Sequence, residues 1–94
     1  MNHKALNVTH NEAAKQFEVT VDGHVALAAY DMEDGRIVFT HTEVPPELSG
    51  RGIANQLAKS ALEYARAEKL TVVPQCAFIA SWIKRHDEYA DLLA

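Results

Sequence analysis

The stretch Ser49-Gly50-Arg51-Gly52-Ile53-Ala54 sets two glycines around an arginine, just ahead of a long helical pattern. A helix N-terminus leaves several N–H groups without partners, and those groups favour a bound anion. Gly50 and Gly52 let the backbone bend and approach a ligand closely. Arg51 adds a positive charge. Together these parts can hold a pyrophosphate; the plainer alternative is a turn, with Arg51 in solvent. The stretch lacks the Lys and Ser or Thr of a phosphate-binding NTPase loop, and the third glycine of a dinucleotide loop.

Two further places carry chemistry. His41 and Glu43 fall on one side of a strand by the period of two. An ordinary histidine, with a pKa of about 6.5, is poised for base work near neutral pH, and a carboxylate can draw a proton through water. The alternative is a salt-bridged sheet residue beside a surface polar one. Cys76 falls just before a helix start, where the helix end stabilises a thiolate. Its rival role is that of a small buried hydrophobe.

Positioning these groups takes a sheet and two helices. Phe17, Val19 and Val21 alternate with Glu18, Thr20 and Asp22, a half-buried strand pattern. Asp22-Gly23 is a hairpin signal. HVALAAYDM then reads as a central strand, Glu33-Asp34-Gly35 as a turn and RIVFTHTEV as a third strand. Residues 16–44 are thus expected to form a three-stranded antiparallel meander. The period then changes. Ile53, Leu57, Ala61 and Ala65, with Ala54, Ala58 and Leu62, share one broad helical face, giving a helix from about Arg51 to Glu68. LTVVP is a short strand ended by Pro74, and a helical crossover lets it lie parallel to the third strand. CAFIASWIKRH is a second helix, with Phe78, Ile79, Trp82, Ile83 and His86 at helical spacing. DEYADLLA is a turn or a docked last segment. The fold class is therefore α+β, a mixed α/β arrangement of three antiparallel strands, helix, parallel fourth strand, helix. Residues 1–12 read as a polar, flexible segment, whose His3 and His10 are too sparse for a metal site; no metal is expected.

Ninety-four residues fit one small domain. A chain of this size buries a limited fraction of its surface, so a groove is expected rather than an enclosed chamber. Nine Lys and Arg stand against 13 Asp and Glu, which disfavours nucleic acid, since that affinity draws on phosphate neutralisation. The single cysteine excludes an internal disulfide. No run approaches the ~20 apolar residues of a membrane span, and the first residues do not read as a signal peptide. A soluble, cytoplasmic protein is expected.

The order strand, VPPEL, SGRGIA, long helix, strand resembles the acetyl-CoA-binding core of the GCN5-related N-acetyltransferases. That family's signature is Gln or Arg, two residues, Gly, one residue, then Gly or Ala. Gly52 and Ala54 match its last two positions; Ser49 departs from the first. Phe17 to Leu93, including HTEVP, PQC and HDEY, looks like a minimal, single-domain subgroup, a truncated acyl-CoA N-acyltransferase fold.

The resemblance implies acetyl-CoA as acyl donor and an unidentified small or protein amine as acceptor. The pantetheine arm would run beside Thr42 to Val44, and the diphosphate would meet the N–H groups of Ser49, Gly50, Arg51, Gly52, Ile53 and Ala54. The thioester would lie near Pro74. Glu43 and His41 would serve as bases, and Cys76 as nucleophile or inert cleft lining. Tyr89 would donate a proton to the departing sulfur or pack the tail. His86 would sit beside Tyr89 or cap its helix. Lys84 and Arg85 would meet a 3'-phosphate or solvent, and Trp82 would be core or a lid. The alternatives to an enzyme are an acyl-CoA-binding module without turnover and a protein-interaction scaffold. The expected state is a monomer or a weak homodimer. The net acidic surface mildly suits cationic amines.

Overall fold

The structure, a computed structural model, describes residues 7–93. Five strands form one sheet in sequence order: β1 (Thr9–Asn11), β2 (Gln16–Val21), β3 (His24–Glu33), β4 (Arg36–Glu43) and β5 (Thr71–Pro74). Neighbours are antiparallel except β4 and β5, which are parallel. The crossover between those two is α1 (Ile53–Ala67), and α2 (Ala77–Arg85) follows β5. The β2–β3 turn has positive φ at both Asp22 (51°) and Gly23 (78°), the backbone that a tight two-residue hairpin requires.

Both helices pack on one face of the sheet. Phe17, Val19, Ala26, Ala28, Tyr30, Ile37, Phe39 and Val72 point to that side and share one buried cluster with α1, α2 and the tail. Ala58, Ala61 and Ala65 of α1 are fully buried, and their small side chains let the helix axis come close to the strands. From α2, Ile79, Trp82 and Ile83 join the cluster. Arg66 pins the tail to α1, donating from Nη1 and Nη2 to the two carboxylate oxygens of Asp91, both at 3.0 Å, and from Nη2 to the Glu88 carbonyl at 2.6 Å. The last segment is therefore docked. Among the described residues no helix is long and apolar enough to cross a membrane.

Two features depart from the expectation. First, residues 9–11 are a strand, not part of a polar tail. Thr-His-Asn shows no alternation, so no periodic signal announces it. Aromatic contact holds it instead: the His10 ring stacks on Phe17 at 4.2 Å and meets the edge of Tyr64 at 4.4 Å, and its Nε2 lies 2.5 Å from the Tyr30 hydroxyl. Second, β4 is bulged. Tyr30 pairs with Phe39 but Ala29 pairs with His41, leaving Thr40 as an additional residue. Its Oγ1 donates to the Ala29 carbonyl at 3.3 Å. Because side chains alternate along a strand, one extra residue exchanges the faces of everything after it. Thr42 thereby turns inward with Ala28, and His41 and Glu43 turn outward with Ala29 and Leu27.

This division of faces predicts two different costs. Phe39 is fully buried on the inner face, so Phe39→Ala is expected to lower stability by about 3–5 kcal/mol. Val25 is 45% exposed on the outer face, so Val25→Ala is expected to cost less than about 1 kcal/mol. Urea unfolding of the two variants checks both; similar costs would contradict the assignment of faces.

Candidate functional site

β5 pairs with β4 only from Arg36 to Phe39. The Cys76 N–H then closes the junction by donating to the Phe39 carbonyl at 2.9 Å, and the chain turns into α2. Beyond Phe39, β4 runs on through Thr40 to Glu43 with no strand on its β5 side among the described residues. An open strand edge of this kind can pair with an extended amide chain.

The loop from β4 to α1 begins beside that edge. Pro45 and Pro46 lead into a 3-10 turn at Pro46–Leu48, closed by Leu48 N–H to the Pro45 carbonyl at 2.9 Å. Leu48, 1% exposed, anchors the loop in the core. Ser49 spends both its N–H (3.2 Å) and its hydroxyl (3.0 Å) on the Pro46 carbonyl. That commits the Ser49 N–H within the loop. Gly50 and Gly52 then take φ of 80° and 74°, a region that side-chain-bearing residues enter at a cost. A Cβ built on either would meet no atom beyond its own chain neighbours within 4 Å, so the space that a side chain would occupy there is open.

Gly52 is the N-cap of α1 and offers no side-chain acceptor, and no acidic residue occupies the first turn. The first helical bond runs from Gln56 N–H to the Gly52 carbonyl at 3.2 Å. The N–H groups of residues 53–55 therefore have no acceptor within the helix, and the positive end of the helix dipole lies at the same place. These groups border a pocket of about 190 Å³ lined by Val44, Leu48, Ser49, Gly50 and residues 52–55. Whole-ligand pockets run to roughly 300–1,000 Å³, so this one has room for only part of such a ligand. Free helix N–H groups are of the kind that suit an anion such as a diphosphate, and Val44 and Leu48 make that part of the wall apolar.

Leu48 and Asn55 belong to this wall and were not among the expected residues. Leu48 had a signal, an apolar side chain inside a polar loop. Asn55 accepts a bond from Trp82 Nε1 at 2.6 Å, tying the first turn of α1 to α2; nothing in the sequence links the two. Arg51 points elsewhere. Its Nη1 lies 3.2 Å from Asp22 Oδ2 at the tip of the β2–β3 hairpin, and both side chains are exposed. The same tip touches the loop through His24 and Glu47, 3.9 Å apart.

The remaining candidates separate by face. Inside, Thr42 Oγ1 and Cys76 Sγ are 3.3 Å apart, and Cys76 is buried at the N-cap of α2. Outside, His41 Nε2 and Glu43 Oε2 are 3.0 Å apart and exposed, with Thr40 Oγ1 3.4 Å from His41 Nδ1. The Tyr89 hydroxyl is engaged by a residue of α1. Tyr89 follows α2, whose 9 residues span about 13 Å of helix from the Cys76 end. Its hydroxyl donates to Glu63 Oε2 at 2.5 Å. Trp82 is core, 3% exposed. His86 caps α2: its N–H reaches the Ile83 carbonyl at 3.0 Å, its Nδ1 lies 2.8 Å from the Trp82 carbonyl and its ring stacks on Trp82 at 3.7 Å. Arg85 bonds Ser81 Oγ at 3.2 Å, and Lys84 is exposed. His3 lies outside the described residues. Among the described residues no group of three or more His, Cys, Asp or Glu is placed to hold a metal.

Comparison with known proteins gives a consistent relationship. A sequence model of GCN5-related N-acetyl-transferases matches residues 16–92. Protein NATD1 of Mus musculus is 37% identical over 84 residues, covering 86% of this chain and 76% of that protein. Its Xenopus tropicalis counterpart is 33% identical over 85 residues, covering 87% and 78%. The NMR solution structure of a GCN5-like protein from Staphylococcus aureus superposes with a TM-score of 0.75 at 27% identity, covering 95% of this chain and 88% of that one.

Burial, then the bond to Glu63, pushes the Tyr89 phenol up from 10.0 to about 12. A raised pKa stabilises the fold below the unfolded value and is lost as pH rises through the folded one. The Tyr89 contribution is thus complete at neutral pH and disappears between pH 10 and about 12. Burial also raises Tyr30 and Tyr64, so the assignment needs a variant. Ultraviolet titration is expected to show a late-ionising tyrosine that Tyr89→Phe removes; an unchanged profile would contradict the Glu63 contact.

Proposed function

The chain belongs to the GCN5-related N-acetyltransferases, and from that premise we propose that it moves an acetyl group from acetyl-CoA to an amine. The observation that carries this reading is the uncapped N-terminus of α1, opening on a pocket beneath two glycines of positive φ. Gly50, Gly52, Ile53, Ala54 and Asn55 would hold the diphosphate through backbone N–H groups. Arg51 would contribute little beyond its general charge, because Asp22 already neutralises it. Thr42 and Val44 would offer the unpaired β4 edge to the pantetheine amides. Acetyl-CoA, when bound, supplies a thioester: the C–N bond forms, the C–S bond breaks, and the amine proton leaves for a base while the thiolate takes one from solvent.

The base in this reading is Glu43. His41 holds one carboxylate oxygen at 3.0 Å, which leaves the other free to take the amine proton through water. His41 is then a positioning residue. Cys76, buried and engaged with Thr42, lines the cleft, which favours direct transfer over an acetyl-cysteine intermediate. A chain with one unpaired cysteine and this donor suits the cytoplasm. A second reading, an acyl-CoA-binding module without turnover, draws support from the commitment of Tyr89 to Glu63, since that removes one proton donor.

Calorimetric titration with acetyl-CoA, joined to a transfer assay on lysine-containing peptides, separates these readings. Wild type is expected to bind one equivalent. Gly52→Val is expected to weaken binding at least 10-fold, and Arg51→Ala less than 3-fold, by the geometry of the loop and the exposed pairing with Asp22. Glu43→Gln is expected to bind normally and lose about 100-fold in kcat. Binding without turnover in wild type would establish the module; no binding at millimolar ligand would overturn both.

A further inference from the structure

Helices cover one face of the sheet, and among the described residues no element covers the other. Cross-strand pairing lays Glu18, Leu27 and Glu43 in one row of that outer face, with Gln16, Ala29 and His41 in the next. Beside them Val25 is 45% exposed. An antiparallel sheet face turned to water ordinarily carries polar side chains. Here exposed Val25 and half-buried Leu27 and Ala29 make an apolar centre.

The rim is acidic. Glu18, Asp31, Glu33 and Glu43 occupy outward positions, and Arg36, the one lysine or arginine among them, is already 3.3 Å from Glu33. Glu18 is built to stay charged. Gln16 donates to it at 2.5 Å and Asn11 at 2.9 Å, and these bonds hold its carboxyl below the usual range. At its β4 end the Glu18–Leu27–Glu43 row reaches the segment of strand that β5 leaves unpaired. The outer face is therefore continuous with the cleft, and Glu43 stands on the boundary.

We propose that the outer face of β2, β3 and β4 docks a basic, lysine-bearing peptide segment and delivers a lysine amine to the cleft past Glu43. This deepens the acetyl-transfer reading and rests on it for the chemistry. The apolar centre takes the peptide's aliphatic side chains, and the carboxylate rim takes its cations. A small free amine would use Glu43 but would have no need of Val25, Leu27 or Glu18. A second copy of the chain would bring another acidic rim against this one, so like-charge repulsion disfavours self-pairing on this face.

The test uses a synthetic peptide of alternating leucine and lysine, N-acetylated so that its lysines are its only amines. It is titrated into the full chain under amide NMR and assayed as an acceptor. The substitutions are Val25→Lys and Glu18→Lys, alone and together. The proposal expects shifts at Val25, Leu27 and Ala29, and at least a 10-fold loss of peptide affinity and of kcat/KM for the peptide in the double variant. The KM for acetyl-CoA should stay unchanged. Shifts confined to the helical side, equal affinity in the double variant, or self-association through Val25 and Leu27 would each overturn it. Docking can be read without the acyl donor, so a failure of acetyl-CoA binding would strike the catalytic reading separately.

Discussion

Thr40 is one residue more than the β3–β4 ladder can pair, and much of the site depends on that excess. A strand alternates its side chains with a period of two. Without the insertion, His41 and Glu43 would continue the side of Ile37 and Phe39 and enter the core, where an ion pair without further partners is costly. With it, they stand in solvent, 3.0 Å apart, while Thr42 turns inward to meet Cys76. The bulge lies next to the point where β5 stops pairing, Phe39 with Pro74. One irregularity therefore coincides with the opening of the cleft and sorts the side chains on its two sides.

The helical side supplies the other half. Small residues on the buried face of α1 bring it close to the sheet, and Leu48 holds the preceding loop in the core. Those contacts fix where the helix begins. Two glycines of positive φ and an uncapped first turn then leave N–H groups directed at open space. A domain this small cannot enclose a large ligand. It offers instead a small pocket beside the start of α1 and, among the described residues, an unpaired strand edge next to it.

Much of this was legible in the sequence because it follows from local pattern. Phe17, Val19 and Val21 announced β2, Asp22-Gly23 announced its turn, and the spacing from Ile53 to Ala65 announced α1. The bend at the glycine loop was readable from residue type alone, and Gly50 and Gly52 take the positive φ that such a bend uses. The rest depends on distant partners. Phe39 to Glu43 reads as unbroken alternation, and the bulge exists only in the pairing with β3. The Arg51 partner is 29 residues away, at Asp22, and the Tyr89 partner is 26 away, at Glu63. β1 has no pattern of its own and is held by the stacking of His10 on Phe17. Family resemblance could suggest a role for Tyr89; it could not show which carboxylate would claim the hydroxyl.

The most direct test of the central claim is an amide NMR titration of the full chain with acetyl-CoA. On this account saturable shifts are expected at Gly50 to Asn55, the segment proposed to hold the diphosphate, and along Thr40 to Val44, the segment proposed to take the pantetheine arm. Shifts gathered elsewhere, or none up to millimolar ligand, would contradict it and return the glycine loop to the status of a turn.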